Sequence, residues 1–212
     1  MHENVAILII PIPNASALKQ QEVEPSKAYR LFYPTLAVLL SASFRQEDDV
    51  IPVVSYCSLS FEPPLFGVAI SPKNYTHKLV RSSGCFAFNI VDVAIAKSVA
   101  AAGDISARDA KKKLSIVGLE LQRAKKIHGK AVKSALAVIE CGVQQIIQTG
   151  DHDFFVSKCE QAYASKDFKT YWQFMEYSPA LYVGSTGTKV KKHRFAKMSR
   201  KFSEFPYIHA GR

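Results

Sequence analysis

The stretch VIPVVSYCSLSFEPPLFGVAISPKNYTHKLVRSSGCFAFNIV, residues 50–91, decides the fold. Val50 to Ser60 is an extended run, rich in β-branched residues at first and in small hydroxyl residues afterwards, as strands with one open face are. Glu62-Pro63-Pro64 interrupts it, because proline brings no N–H to a ladder. Leu65 to Ile70 resumes as a strand, and Ser71-Pro72-Lys73-Asn74 reads as a loop. Tyr75 to Ser82 follows as a short helix, with Asn74 as its N-cap and Gly84 as its C-terminal stop. Cys85 to Val91 is a strand again.

Upstream, Tyr33 to Ser43 reads as a buried strand and Arg45 to Asp49 as a charged loop tip, so that strand forms a hairpin with Val50 to Ser60. Val5 to Ile10 is a short strand closed by Pro11 and Pro13, and Asn14 to Lys27 is a polar connection. Downstream, Ala94 to Ala102 is alanine-rich and helical, and Ser106 to Leu114 reads as a second helix capped by Ser106. Ser134 to Gln148 and Asp153 to Ala164 form a second hairpin across Gly150-Asp151, and Leu181 to Val183 is a last strand. The segment from Thr186 onward is basic and poor in aliphatics, and reads as a tail over the surface or toward a partner. Hairpin-joined strands with helices in two places argue for a mainly β fold, an antiparallel barrel, closed or partly closed, with peripheral helices. Neither G-x-G-x-x-G after a strand nor G-x-x-x-x-G-K-[ST] occurs, so the sequence offers no Rossmann site and no P-loop. The expected organisation is an N-terminal extension over 1–32 packing on the barrel, a barrel domain over 33–184 and a basic tail over 185–212.

The chain has 212 residues, of which 48% are hydrophobic and 22% charged, too apolar for intrinsic disorder and long enough for one sizeable core. Lys and Arg number 28 against 18 Asp and Glu, a net charge of +10, concentrated from Arg108 to Lys133 and from Lys189 to Arg212. That balance suits an anionic partner or simple solubility, without choosing between them. No aromatic-interleaved or helix-turn-helix pattern accompanies the charge, which argues against nucleic acid. The 4 cysteines, Cys57, Cys85, Cys141 and Cys159, have no C-x-x-C spacing, and the 6 histidines have no H-x-x-x-H spacing. We therefore expect no metal and no disulfide framework, in a reducing, cytoplasmic compartment. Apolar runs fall short of a membrane span.

Three segments carry candidate chemistry. In the loop Ser71 to His77, a helix N-terminus with Ser71, Lys73 and Thr76 suits a phosphate; the alternative is that Asn74 and Thr76 only cap the helix. The strand Ser55-Tyr56-Cys57-Ser58 leaves backbone groups accessible to the edge of a flat heterocycle; the alternative is a plain strand with a polar face. At Gly150-Asp151-His152, an aspartate beside a histidine can set its tautomer, although adjacent residues in a strand point apart.

The residues Ser58-Leu59-Ser60, Glu62-Pro63-Pro64-Leu65, Val68 to His77 and Gly84 to Ile90, together with Ile139-Glu140-Cys141, Gly150 to Val156 and Tyr177 to Gly184, resemble the flavin reductase-like family of FMN-binding split barrels, particularly its archaeal and flavoredoxin-like branch. The likeness spans roughly Tyr33 to Gly184. It implies a six-stranded antiparallel Greek-key split barrel, usually a homodimer, that binds FMN near the dimer interface. By position, it implies that Val54, Ser55, Tyr56, Cys57 and Ser58 face the isoalloxazine and that Ser71, Lys73, Tyr75 and Thr76 surround the phosphate. It implies that His152 lies near the nicotinamide or flavin. Asp48-Asp49-Val50 stands where a glycine–asparagine pair is frequent, and Tyr56 where tryptophan is. The implied activity is an oxidoreductase passing a hydride from NADH or NADPH to flavin and electrons onward. The alternative is an FMN-binding electron carrier serving a redox-partner protein, without nicotinamide turnover.

Overall fold

The computed structural model describes residues 20–186 and 191–198. The strand expected at Val5 to Ile10 lies outside them. The chain divides into two compact units, Met1–Phe32 and Tyr33–Arg212. In the first, Pro25–Phe32 forms a 3-10 helix.

The second unit is built on antiparallel strands: β1 (Thr35–Leu36), β2 (Val38–Phe44), β3 (Glu47–Val53), β4 (Tyr56–Phe61), β5 (Pro64–Ile70), β6 (Cys85–Ile90), β7 (Leu121–Arg123), β8 (Lys130–Val132), β9 (Ala137–Thr149), β10 (His152–Ala164), β11 (Ala180–Thr186) and β12 (Lys192–Lys197). Its helices are α1 (Tyr75–Ser83), α2 (Ala96–Asp104) and α3 (Lys113–Ile116). The main sheet has seven strands in the order β3-β2-β6-β9-β10-β5-β4, one more than the six expected. The extra one arises because the run Val50 to Ser60 is two strands, broken at Val54-Ser55, with β3 and β4 at opposite edges of the sheet. The mainly β, antiparallel split-barrel reading holds.

Strand alternation makes two cores. One face gathers Val38, Leu40, Ile51, Val68, Phe86 and Phe155 with Leu79 and Val80 of α1, which packs against β2, β3 and β6. The opposite face packs Leu39, Val50 and Val91 against Val99 and Ala102 of α2. Each fully buried aliphatic or phenyl side chain contributes about 1.5–3 kcal/mol of transfer free energy, so these clusters dominate the stability. α1 ends as expected at Gly84, whose φ of +69° is the left-handed conformation a helix stop requires. Gly67 answers a different need, since a Cβ there would sit 2.1 Å from the Phe154 ring crossing from β10.

Three expectations change. Arg45 to Asp49 is not all loop: the turn is Arg45-Gln46, and Glu47, Asp48 and Asp49 belong to β3. Ser106 to Leu114 is not one helix, because only Lys113–Ile116 is helical; Ser106 instead closes turns, its carbonyl accepting from the amides of Asp109 and Ala110. The segment after Thr186 contributes β12, which pairs with β11 and sets Phe195 against the second core.

Candidate functional site

Most of the expected site residues meet at one end of β4, β5 and β10. The Ser55 carbonyl accepts from the Ala69 amide at 2.9 Å, so Val54-Ser55 lies alongside the end of β5. Asp153 of β10 pairs with Ile70 on the other side, which sets His152 beside Ser71. The gap between β3 and β4, the loop before α1 and the β9–β10 turn are therefore neighbours. Alternation places Cys57 on the face of Gly67, Ala69 and Phe154, while Tyr56 and Val68 turn inward.

β4 is an edge strand, so its outer N–H and C=O groups are unpaired by the sheet. Ser55, Cys57 and Ser58 are exposed, and Val54 is half-buried. Val54 lines a cavity of about 170 Å³ with Pro52, Ala100, Tyr182 and Phe195. Tyr56 serves the interior instead. Its ring lies against Phe88, its hydroxyl donates to the Leu36 carbonyl at 2.8 Å, and burial raises its pKa.

The loop before α1 is the segment expected to hold an anion. The amides of Asn74 and His77 have backbone partners, Ser71 and Asn74 respectively. Those of Tyr75 and Thr76 have none among the described residues, as befits the first turn of a helix. The Asn74 side chain makes no cap bond. The Ser71 hydroxyl lies 3.4 Å from the Lys73 amide, and Lys73 makes no ion pair among the described residues. Lys73 lies close enough to Asp151 to help lower that carboxyl's pKa, after the larger effect of His152. Lys73, Asn74 and Tyr75 line a small cavity of about 110 Å³ with Gly103, Ile105 and Ser106.

Two expected phosphate ligands use their side chains elsewhere. The Thr76 hydroxyl is fully buried and donates to Asp49 Oδ2 at 2.5 Å. The Tyr75 hydroxyl donates to Glu47, whose carboxylate raises the phenol's pKa. Thr76 therefore has only its backbone amide to offer a ligand. Asp49 also receives Lys113 Nζ at 2.8 Å and the Val50 amide at 2.8 Å. Asp49 and Lys113 have side chains 1% and 2% exposed, a buried ion pair beneath the phosphate loop. Sequence reading missed this pair: Asp49 looked like part of a loop tip, and 64 residues separate it from Lys113. The neighbouring residue His77 fixes the other flank of α1, its Nε2 lying 2.8 Å from Asp153 Oδ2, which Arg81 meets at 3.0 Å.

His152 and Asp151 do touch, Nδ1 to Oδ1 at 2.7 Å, because the turn frees Asp151 from strand alternation. Their side chains are 39% and 89% exposed. A second carboxylate, Glu140, is buried and takes no part at this end. It accepts from the amides of Lys125 and Lys126 at 2.7 Å each and of Ile127 at 3.1 Å. Burial acts to raise its pKa, but these donors outweigh that and leave it below the ordinary value.

An antiparallel split barrel of this strand order defines a class of fold, and comparison with known proteins agrees. The flavin reductase like domain family matches residues 29–187, and the chain belongs to that family. An uncharacterized protein of Aeropyrum pernix is 32% identical over 158 residues, 74% of this chain; the match spans 60% of the Aeropyrum protein's length. The crystal structure of an FMN-binding protein from Thermus thermophilus with bound p-hydroxybenzaldehyde superposes with a TM-score of 0.71 at 22% identity, covering 89% of this chain and 98% of that one. The NADH:FAD oxidoreductase SgcE6 of Streptomyces globisporus superposes with a TM-score of 0.65 at 16% identity, covering 77% and 93%. No helix among the described residues is long and apolar enough to cross a membrane.

Proposed function

We propose that the protein binds FMN and acts as an NAD(P)H-dependent flavin oxidoreductase. The observation that carries this reading is the pair of amides at Tyr75 and Thr76 and the Lys73 ammonium, none of which has a partner among the described residues, beside the Ser71 hydroxyl. Such a set holds a phosphate through backbone dipoles, one hydroxyl and one cation. The open backbone from Val54 to Ser58 meets the edge of the ring system, Ser55 and Cys57 from the exposed side. A bound flavin supplies the two-electron chemistry, taking hydride from a reduced nicotinamide. The chain's own part is to anchor, orient and leave one ring face open. His152, held by Asp151, stands where it can donate a hydrogen bond to the nicotinamide amide or to the flavin.

The family membership and the NADH:FAD oxidoreductase activity of the Streptomyces neighbour support the nicotinamide step. An exposed β4 edge with Leu59 45% and Phe61 92% exposed supports a homodimer that covers it. The free thiols Cys57, Cys85, Cys141 and Cys159 support a reducing, cytoplasmic setting. The test starts with a visible spectrum of purified protein titrated with FMN and with riboflavin. Flavin bands that shift on binding, with FMN held more tightly than riboflavin, are expected. Anaerobic mixing with NADH and with NADPH then bleaches the bound flavin. Flavin that stays yellow under both reductants overturns the oxidoreductase and leaves a flavin-binding electron carrier.

A further inference from the structure

A groove of about 650 Å³ opens next to the phosphate loop. Tyr75 and Lys113 line both this groove and the small cavity that Lys73 lines, so the two are contiguous. Glu47 and Asp48 of β3 stand on one side, and Ala107, Lys111 and Lys112, from the segment leading into α3, on the other. The acids of the groove are already engaged: Glu47 accepts the Tyr75 hydroxyl, and Asp48 receives Lys130 Nζ at 2.6 Å. Lys113 is committed to Asp49. Lys111 and Lys112 are exposed and have no ion pair among the described residues, and neither has Arg108, whose charge reaches the Tyr75 hydroxyl. Asp48 is offset by Lys130 and Lys113 by Asp49, so Lys111 and Lys112 outnumber the one lining acid without a cation, Glu47, and the groove keeps a positive balance. A volume of several hundred Å³ is that of a small-molecule site rather than a surface crease.

Resting on the FMN reading above, we propose that this groove takes the phosphate-bearing adenosine half of a dinucleotide, with Lys111 and Lys112 on its phosphate. A flavin phosphate at Ser71 and Lys73 has its continuation on the far side of Tyr75, where these lysines stand. The same chemistry, a phosphate carried on an adenosine, comes from the 5′-phosphate of FAD or from the 2′-phosphate of NADPH, and direct binding separates the two. Neither lysine bears on the core, so charge removal tests recognition rather than folding.

The experiment titrates FMN, FAD, NADH and NADPH onto the wild-type protein and the double variant Lys111→Gln/Lys112→Gln, at low and moderate salt. For FAD as the occupant, the affinity for FAD falls about tenfold more than that for FMN, as expected for two charge-assisted contacts. For NADPH as the occupant, the preference over NADH falls by a similar factor, about tenfold, while the ratio of FAD to FMN holds. A second variant, Ala107→Trp, fills the groove without touching charge: with FAD as the occupant it lowers FAD affinity against FMN, and with NADPH as the occupant it weakens NADH and NADPH together, so an unchanged affinity for all four ligands would overturn the proposal. If neither ratio moves in either variant, the groove is not the dinucleotide site, although FMN binding to the wild type still supports the parent reading. If the wild type binds no FMN, the parent reading fails and this one with it.

Discussion

Two segments among the described residues leave consecutive backbone amides outside the helix and sheet ladders, and they differ in what meets them. At Lys125 to Ile127 the amides are met by Glu140, a fully buried carboxylate of the same chain. At Tyr75 and Thr76 the amides have no acceptor among the described residues, and the Asp49 carboxylate is already engaged by Thr76, Lys113 and Val50. The same physics serves structure in one place and, on the function proposed above, binding in the other. The distinguishing fact is whether the chain has placed its own charge there. A nest filled from within locks β9 to the β7–β8 hairpin; one left open at the barrel's end is available to a ligand.

The strongest way to break that contrast is to empty the closed nest. Glu140→Ala leaves three part-buried donors without their carboxylate and lowers stability by about 3 kcal/mol, read from urea unfolding. Added phosphate or sulfate recovers part of the loss. A neutral substitution would mean that the nest is not a fastening. Next, Lys113→Met strands the Asp49 carboxylate under the phosphate loop. It costs about 3 kcal/mol, and the double change with Asp49→Asn costs less than Lys113→Met alone. A third change acts on the open site: Lys73→Ala weakens FMN about tenfold, or about 1.4 kcal/mol, and riboflavin little, measured by flavin fluorescence. Equal loss for both ligands would remove the cation from the phosphate.

The smallest effect is acid sensitivity at the other flank of α1. The Asp153 carboxyl is held below its ordinary value, chiefly by His77 and further by Arg81, against some opposition from burial. A carboxyl depressed in the folded state adds stability above its unfolded pKa of about 3.9 and loses it as pH falls through the folded value. Asp153→Asn should therefore melt lower than wild type at neutral pH and converge with it in strong acid. A gap that persists at low pH would assign the contact to shape rather than charge.

The strands, the Pro-Pro break, the helix stop at Gly84 and the gathering of Ser55, Ser71, Lys73 and His152 were legible because each is written in local residue types or in the family likeness of contiguous segments. What could not be read was long-range. Asp49 sits in a run of charges that looks solvated, and its partner Lys113 lies in a basic stretch that looks the same. Only packing tells that both are dry. The Thr76 hydroxyl was assigned to a ligand because nothing nearby in sequence competes for it, whereas its acceptor comes from another strand. Ser106 begins turns rather than a helix, since local capping chemistry is shared by both. β12 went unseen because His193 to Lys197 carries too few aliphatics to signal a strand by itself, yet its backbone completes a sheet edge.

That last strand bears on how the protein is made. The seven-stranded sheet is complete once residue 164 has left the ribosome. The three-stranded sheet β1-β11-β12 cannot close until residue 197 has followed, although its first strand begins at residue 35. During synthesis, Thr35-Leu36 must therefore wait through nearly the whole chain for its neighbour, and part of the apolar face that Tyr182 and Phe195 cover stays open meanwhile. Fusions or truncations near Lys192 would strike the last step of assembly rather than an ornament at the terminus.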